Sequence, residues 1–126
     1  MLKHLLLVGI GGFLGSALRF LIYILINRHV STYFPLGTFT VNILGCLLIG
    51  LLYGLWSQEY IDDLSSRLWI TGFCGGFTTF STFSNDGVML IDNGQFATML
   101  FYVSASVILG FAAVYLGAYL SKLIQL

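Results

Sequence analysis

Hydroxyl and amide side chains stand on three separate stretches of a chain that is otherwise strongly apolar. Two pairs, Thr38 with Asn42 and Tyr102 with Ser106, are spaced four residues apart, so each pair would share one face of a helix. The densest stretch, residues 71–85, adds the hydroxyls of Thr78, Thr79, Ser81, Thr82 and Ser84. These neutral hydrogen-bond donors favour an anion, because cation pathways commonly use rings of carbonyl or acidic groups.

Three phenylalanines in the same stretch recur at every third residue. On a continuous helix Phe77, Phe80 and Phe83 would lie on one face. An aromatic ring is electropositive at its rim, so such rings can contact an anion edge-on. A packing stripe is the alternative, and the hydroxyl residues between the rings argue against a purely apolar interface. The pattern therefore predicts an anion pathway beside aromatic rings.

Two further polar residues each have two open interpretations. Arg19 stands inside an apolar run, where an arginine is a functional-site hypothesis by default. It either contacts the ion from a vestibule, or it caps a helix end or pairs with Asp86 or a carbonyl. Asn42 either donates a hydrogen bond to the anion or forms a hydrogen bond between two helices, which is a common role of asparagine in membranes.

The composition shows what must position these groups. Of the 126 residues, 58% are hydrophobic and 8% are charged, with a mean hydropathy of +0.96. A chain this small cannot bury so much apolar surface in one soluble core, so we predict an all-α integral membrane protein. Five basic and five acidic residues leave no basic patch, which excludes a nucleic-acid partner.

Four apolar runs are long enough to cross a bilayer, which needs about 20 residues per helix. They predict a single four-span domain over residues 1–126, with spans at about 5–26, 38–56, 68–91 and 96–120. The third run has a polar middle, and the adjacent Gly75 and Gly76 favour a break of the helix in mid-membrane. Irregular backbone at that depth must be buried in protein or line water, and its freed carbonyls can bind ions.

Small residues at helical spacing predict close helix contacts. Four short helices cannot readily enclose a polar pathway, so we also predict a homodimer. Three basic residues on one side of the membrane against one on the other give a weak orientation bias, which is compatible with an antiparallel dimer or with one weakly oriented topology. The stripes are Cys46, Gly50 and Gly54 on the second span, and Ser106, Gly110, Ala113 and Gly117 on the fourth.

The motifs resemble the Fluc (CrcB) family of fluoride channels. Residues 75–84 read GGFTTFSTFS, which closely resembles that family's G-G-x-T-T-F-S-T-F signature. Residues 37–45 are similar to its G-T-x-x-x-N-x-x-G element, and Gly15 with Arg19 matches its G-x-x-x-R element. The resemblance extends over essentially the whole chain.

The resemblance implies a dual-topology homodimer in the inner (plasma) membrane, with two antiparallel pores that export F⁻ passively and confer fluoride resistance. By motif position, Phe80 and Phe83 line the pore and Asn42 is a pore amide. Backbone carbonyls of Gly75 and Thr78 would bind a structural Na⁺ at the dimer centre. The polar track beside the rings would comprise Ser81, Tyr102 and Ser106, to which the spacing argument adds Thr38. The family often carries glutamate at the position of Asp86.

Other classes of protein are weighed against this interpretation. A small proton-coupled multidrug exporter needs a carboxylate at membrane depth, and the first span carries Arg19 but no acid. A non-conducting structural subunit would explain the glycines and rings, but not a break lined by donors. An enzyme is not expected, because His4 and His29 lie at the span ends and no nucleophile–base pair is present.

Overall fold

A computed structural model describes residues 1–124, and those residues form helices without any β-strand. Three helices, α1 (Leu2–His29), α2 (Leu36–Ser57) and α6 (Phe96–Leu123), are long and apolar enough to cross a membrane. Between α2 and α6 lie a short α3 (Asp63–Ser66), a π-helix (Arg67–Cys74), α4 (Gly75–Phe77) and α5 (Phe80–Asp92). Three of the four predicted spans are thus single long helices, and the predicted span 68–91 consists of shorter pieces.

The long helices form where apolar runs meet no interior proline. Pro35, the chain's one proline, precedes the first residue of α2, where a missing backbone N–H costs no helical hydrogen bond. At the start of α3, the Asp62 carboxylate accepts a hydrogen bond from the Ser65 backbone N–H at 3.3 Å, which caps the helix. The apolar runs are helical, and the helices extend past them to include most of the charged residues, so that within residues 1–124 only Glu59 and Asp62 of these lie in a loop.

The segment between α2 and α6 changes its packing partner halfway along. We call residues 63–77 the first half-helix and α5 the second half-helix. The first half-helix packs chiefly against α1, whereas α5 packs against α6, and α2 packs along α6. The two halves are separated by Thr78 and Thr79, both in extended conformation, with φ of −88° and −149°. This interruption positions the candidate site.

The helix ends three residues later than the sequence suggests. Gly75 and Gly76 are both helical, so the prediction that the chain leaves helical geometry at these glycines is wrong. The reason is packing: a Cβ atom at Gly76 would overlap the carbonyl oxygen of Gly12 in α1. Glycine is present here because two backbones approach closely.

The small-residue stripes serve contacts within the chain. A Cβ at Gly50 of α2 would overlap the carbonyl oxygen of Val114, and one at Gly117 of α6 would overlap that of Leu47. The Sγ of Cys46 lies 3.5 Å from where a Cβ of Gly110 would stand. These stripes therefore join α2 to α6 within one chain and do not bear on the homodimer, which stays a prediction.

Candidate functional site

The side chain of Asn42 holds the extended backbone of Thr79 with two hydrogen bonds. Its Nδ2 donates to the Thr79 carbonyl oxygen at 3.0 Å, and its Oδ1 accepts from the Thr79 N–H at 2.8 Å. An extended residue between two helices has no helical partner for these groups, and α2 supplies one through this asparagine. Of the two interpretations of Asn42, the hydrogen bond between helices is therefore found, and Nδ2 retains a second N–H.

Thr79 also begins the second half-helix. Its Oγ1 accepts from the backbone N–H of Thr82 at 3.2 Å, which is the N-cap arrangement. Sequence analysis counted Thr79 only as one hydroxyl among several. The signal that could have found it is a threonine three residues before another, directly after an apolar helix, where a capping residue is favoured.

A cavity of about 360 Å³ opens beside this clamp. It brings together four residues that the sequence predicts for an anion pathway: Asn42, Phe80, Phe83 and Ser106. The Oγ of Ser106 is buried and has no hydrogen-bond partner among residues 1–124. Two threonines of the interruption and a cysteine that the sequence did not suggest as a site residue also line the cavity. The remaining lining residues are Cys46, Ile49, Thr78, Thr79 and Val107.

The phenylalanines do not form a single stripe. Phe77 ends the first half-helix, is buried, and stacks on Phe73 with ring centroids 5.8 Å apart. Phe80 and Phe83 belong to α5, beyond the two extended residues, with their own centroids 5.8 Å apart. Phe80 is 79% exposed in the protomer. The prediction that all three share one helical face is wrong, because the helix that would align them is interrupted.

Tyr102, Asp86 and Thr38 form a second polar group. The Tyr102 hydroxyl donates to Asp86 Oδ2 at 3.1 Å, and its ring lies 5.1 Å from that of Phe83. Tyr102 and Thr38 are fully buried, and the Thr38 Oγ1 has no hydrogen-bond partner in the described part of the chain. This group lies next to the Phe83 ring, outside the cavity lining.

Ser81 is exposed and lies apart from both polar groups. Its Oγ is 3.3 Å from the Thr79 Oγ1, within hydrogen-bond distance. Its side chain does not contribute to the lining of the cavity beside Asn42. The predicted polar track is therefore distributed over the cavity, the Tyr102 group and an exposed face of α5.

Arg19 reaches from α1 to the end of the first half-helix. Its Nε donates to the Gly76 carbonyl oxygen at 3.0 Å. Of the interpretations of Arg19, the structure therefore shows the one in which it pairs with a carbonyl at a helix end. Within residues 1–124 Arg19 makes no ion pair with Asp86. The guanidinium borders a cleft of about 330 Å³ that Thr38, Thr79 and Thr82 also line.

The carbonyl oxygens at the interruption differ in their hydrogen bonding. The Cys74 oxygen accepts from the Thr78 N–H at 3.1 Å and from the Thr78 hydroxyl at 2.9 Å. In residues 1–124, the oxygen of Thr78, which lies outside the helices, accepts no hydrogen bond. Backbone carbonyls at an interrupted helix are the ligands that membrane proteins use for Na⁺, so the Thr78 oxygen, with that of Gly75 one turn earlier, fits such an ion.

The amino-acid sequence is similar to those of known proteins over nearly its whole length. The family described as "CrcB-like protein, Camphor Resistance (CrcB)" matches residues 6–118. A protein of Phocaeicola vulgatus named fluoride-specific ion channel FluC is 49% identical over 122 residues, which cover 96% of this chain and 100% of the relative. Proteins of the same name from Azobacteroides pseudotrichonymphae and Flavobacterium psychrophilum are 47% and 43% identical over 123 and 122 residues, covering 97% and 96% of this chain and 98% of each relative.

Proposed function

Because the chain belongs to the CrcB family, we propose that it is the subunit of a fluoride-specific ion channel that lets F⁻ leave the cytoplasm passively. The observation that carries this proposal is the similarity to proteins named fluoride channels over nearly the whole of both chains. The family assignment made from the motifs is confirmed. Its members conduct ions, so the chain is not an enzyme, and it is a multi-pass protein of the plasma membrane.

The ion path of this proposal runs along the cavity beside the interruption. The rims of Phe80 and Phe83, the second N–H of Asn42 and the unpartnered hydroxyl of Ser106 would contact F⁻ there. Small, closely spaced donors suit a small and strongly hydrated anion. Tyr102 and Thr38 would continue the path beside the Phe83 ring, where the Tyr102 phenol would exchange its bond to Asp86 for one to the ion. Ser81 would contribute from the exposed face of α5.

A second copy of the chain completes the proposed channel. The face of α5 that carries Ser81, Ser84 and Asn85 is exposed in the protomer, as is Phe80. Polar side chains facing lipid are costly, so this face favours a protein partner, and a two-fold dimer is the simplest one. The weak charge bias is compatible with an antiparallel arrangement.

The proposed dimer would hold a structural Na⁺ through the carbonyls of Gly75 and Thr78 from both copies. The bound cation would neutralise the partial negative charge at the ends of two first half-helices. The residues of this chain supply the oxygens and keep water away, and no proton or ion is exchanged for F⁻. This role predicts slow exchange of Na⁺ and no coupling to transport.

Efflux from liposomes tests the proposed function directly. Purified protein is reconstituted with internal KF or KCl, and anion efflux is started with a potassium ionophore and followed with ion-specific electrodes. We expect fast F⁻ efflux and chloride efflux near that of protein-free liposomes. Brisk chloride efflux without fluoride efflux would contradict the proposal.

Growth of a fluoride-sensitive bacterium provides the cellular test. At mildly acidic pH, HF enters by diffusion and dissociates inside, so a passive F⁻ pathway should restore growth. The Asn93→Ala variant, altered at an exposed turn that does not line the cavity, should rescue as well as the wild type. Failure of both to rescue at verified membrane expression would count against fluoride export.

A further inference from the structure

One carbonyl oxygen at the end of the first half-helix accepts a side-chain hydrogen bond, whereas the oxygen of the residue just past that helix accepts none. The Gly76 oxygen accepts the hydrogen bond from Arg19 Nε at 3.0 Å. The oxygen of Thr78, two residues later and outside the helix, accepts none in the described residues. The hydrogen bond from Arg19 therefore makes the Gly76 oxygen unavailable as a ligand for a cation at this helix end.

The same side chain brings a permanent positive charge to the helix end. Arginine stays protonated in proteins, and Arg19 lines the cleft shared with Thr38 and Thr82. At the C-terminal end of a helix, a cation and a guanidinium compete for the same partial negative charge. Arg19 is therefore placed to limit how strongly cations bind there.

We propose that Arg19 sets the cation specificity of the helix-end site: it excludes the Gly76 oxygen from the ligand set and weakens cation binding by its charge. This inference rests on the proposed structural Na⁺ and the proposed dimer. Without Arg19, each chain would offer an additional oxygen, and a larger ligand set accommodates the larger K⁺. Arg19 acts here as a positioning residue for the backbone oxygens.

Thermal unfolding of the purified protein in detergent tests this inference without using transport. Protein prepared in N-methyl-glucamine salts is titrated with NaCl or KCl, and the midpoint concentration for thermal stabilisation is measured. Wild type should respond to Na⁺ and not to K⁺. Arg19→Gln should lower the Na⁺ midpoint about tenfold, because a nearby unit charge is removed in a medium of low effective dielectric, and it should gain a response to K⁺.

Matched variants keep the result interpretable. Arg28→Gln removes an exposed arginine from the last turn of the same helix and should leave the wild-type response unchanged. Arg19→Lys keeps the charge but replaces the planar fork with a mobile ammonium, so it should lower the Na⁺ midpoint less than Arg19→Gln. If Arg19→Gln does not purify folded, a lower Na⁺ midpoint in Arg19→Lys is the supporting result.

Two outcomes would overturn the inference. Unchanged Na⁺ and K⁺ responses in the folded Arg19 variants would show that Arg19 has no part in cation specificity. Thermal stability of the wild-type protein that does not depend on Na⁺ would show that the Na⁺ site is absent. Fluoride efflux of the same wild-type preparation separates these failures from failure of the channel proposal, because efflux that persists leaves fluoride conduction intact.

Discussion

Replacing Asn42 by alanine should destabilise the protein as well as reduce fluoride flux. The substitution removes both hydrogen bonds to the Thr79 backbone, at 3.0 and 2.8 Å. Each backbone group left without a partner away from water costs about 1–3 kcal/mol, so the two together cost about 2–6 kcal/mol. Both hydrogen bonds are only partly buried, which favours the lower end of that range.

The assay for this prediction combines unfolding with efflux. Unfolding in detergent should show the Asn42→Ala variant destabilised by at least about 2 kcal/mol, more than a tenfold shift in the unfolding equilibrium. Asn93→Ala is the matched control, because the Asn93 Nδ2 donates at 2.8 Å to a carbonyl in its own exposed turn. Its loss should stay within about 0.5 kcal/mol.

The outcome separates two roles of the same amide. If Asn42 only binds the ion, the alanine variant should lose flux and keep wild-type stability. If it also holds the interruption, both should fall together. An alanine variant as stable as the Asn93→Ala control would refute the reasoning from the two hydrogen bonds.

The remaining predictions concern the rings, the helix contacts and the cation. Phe80→Ile or Phe83→Ile removes the electropositive rim of the ring and should reduce F⁻ efflux by orders of magnitude. The dimer should stay intact by size-exclusion chromatography, and loss of efflux together with dissociation would indicate that the rings serve packing. Gly15→Ala should cost about 1–3 kcal/mol or more in unfolding, because its Cβ would overlap the Phe73 carbonyl, whereas Gly9→Ala has open space and should be neutral. Stripping Na⁺ should reduce efflux slowly, over the time of ion release, and a reversed Na⁺ gradient should never drive F⁻ uphill; uphill movement would show coupled transport.

The long helices could be predicted because bilayer thickness and apolar run length determine them. The structure extends the predicted run 5–26 to Leu2–His29 and the predicted run 96–120 to Phe96–Leu123. The apolar composition of a run is enough to predict a membrane-spanning helix. Their exact ends could not be predicted, since helices continue past the apolar run wherever no proline or capping residue stops them.

The interruption could be predicted to exist, but not to lie at Thr78 and Thr79. Glycine pairs indicate both helix breaks and close backbone contacts, and the sequence around Gly76 does not distinguish the two. The contact that stabilises the extended residues comes from Asn42, 37 positions earlier in the chain. Residue type and position within apolar runs singled out Asn42 and Arg19, whereas their bonds to backbone carbonyls depend on how α1 and α2 pack.

The divided third segment has a consequence for how the protein is inserted into the membrane. Neither the first half-helix nor the second, Phe80–Asp92, reaches the roughly 20 residues that a translocon recognises as a spanning helix. The extended Thr78–Thr79 backbone would meet lipid with unsatisfied polar groups unless α1 and α2 were already beside it. Biogenesis should therefore be ordered: α1 and α2 partition first, and the divided segment enters the bilayer only by docking on them.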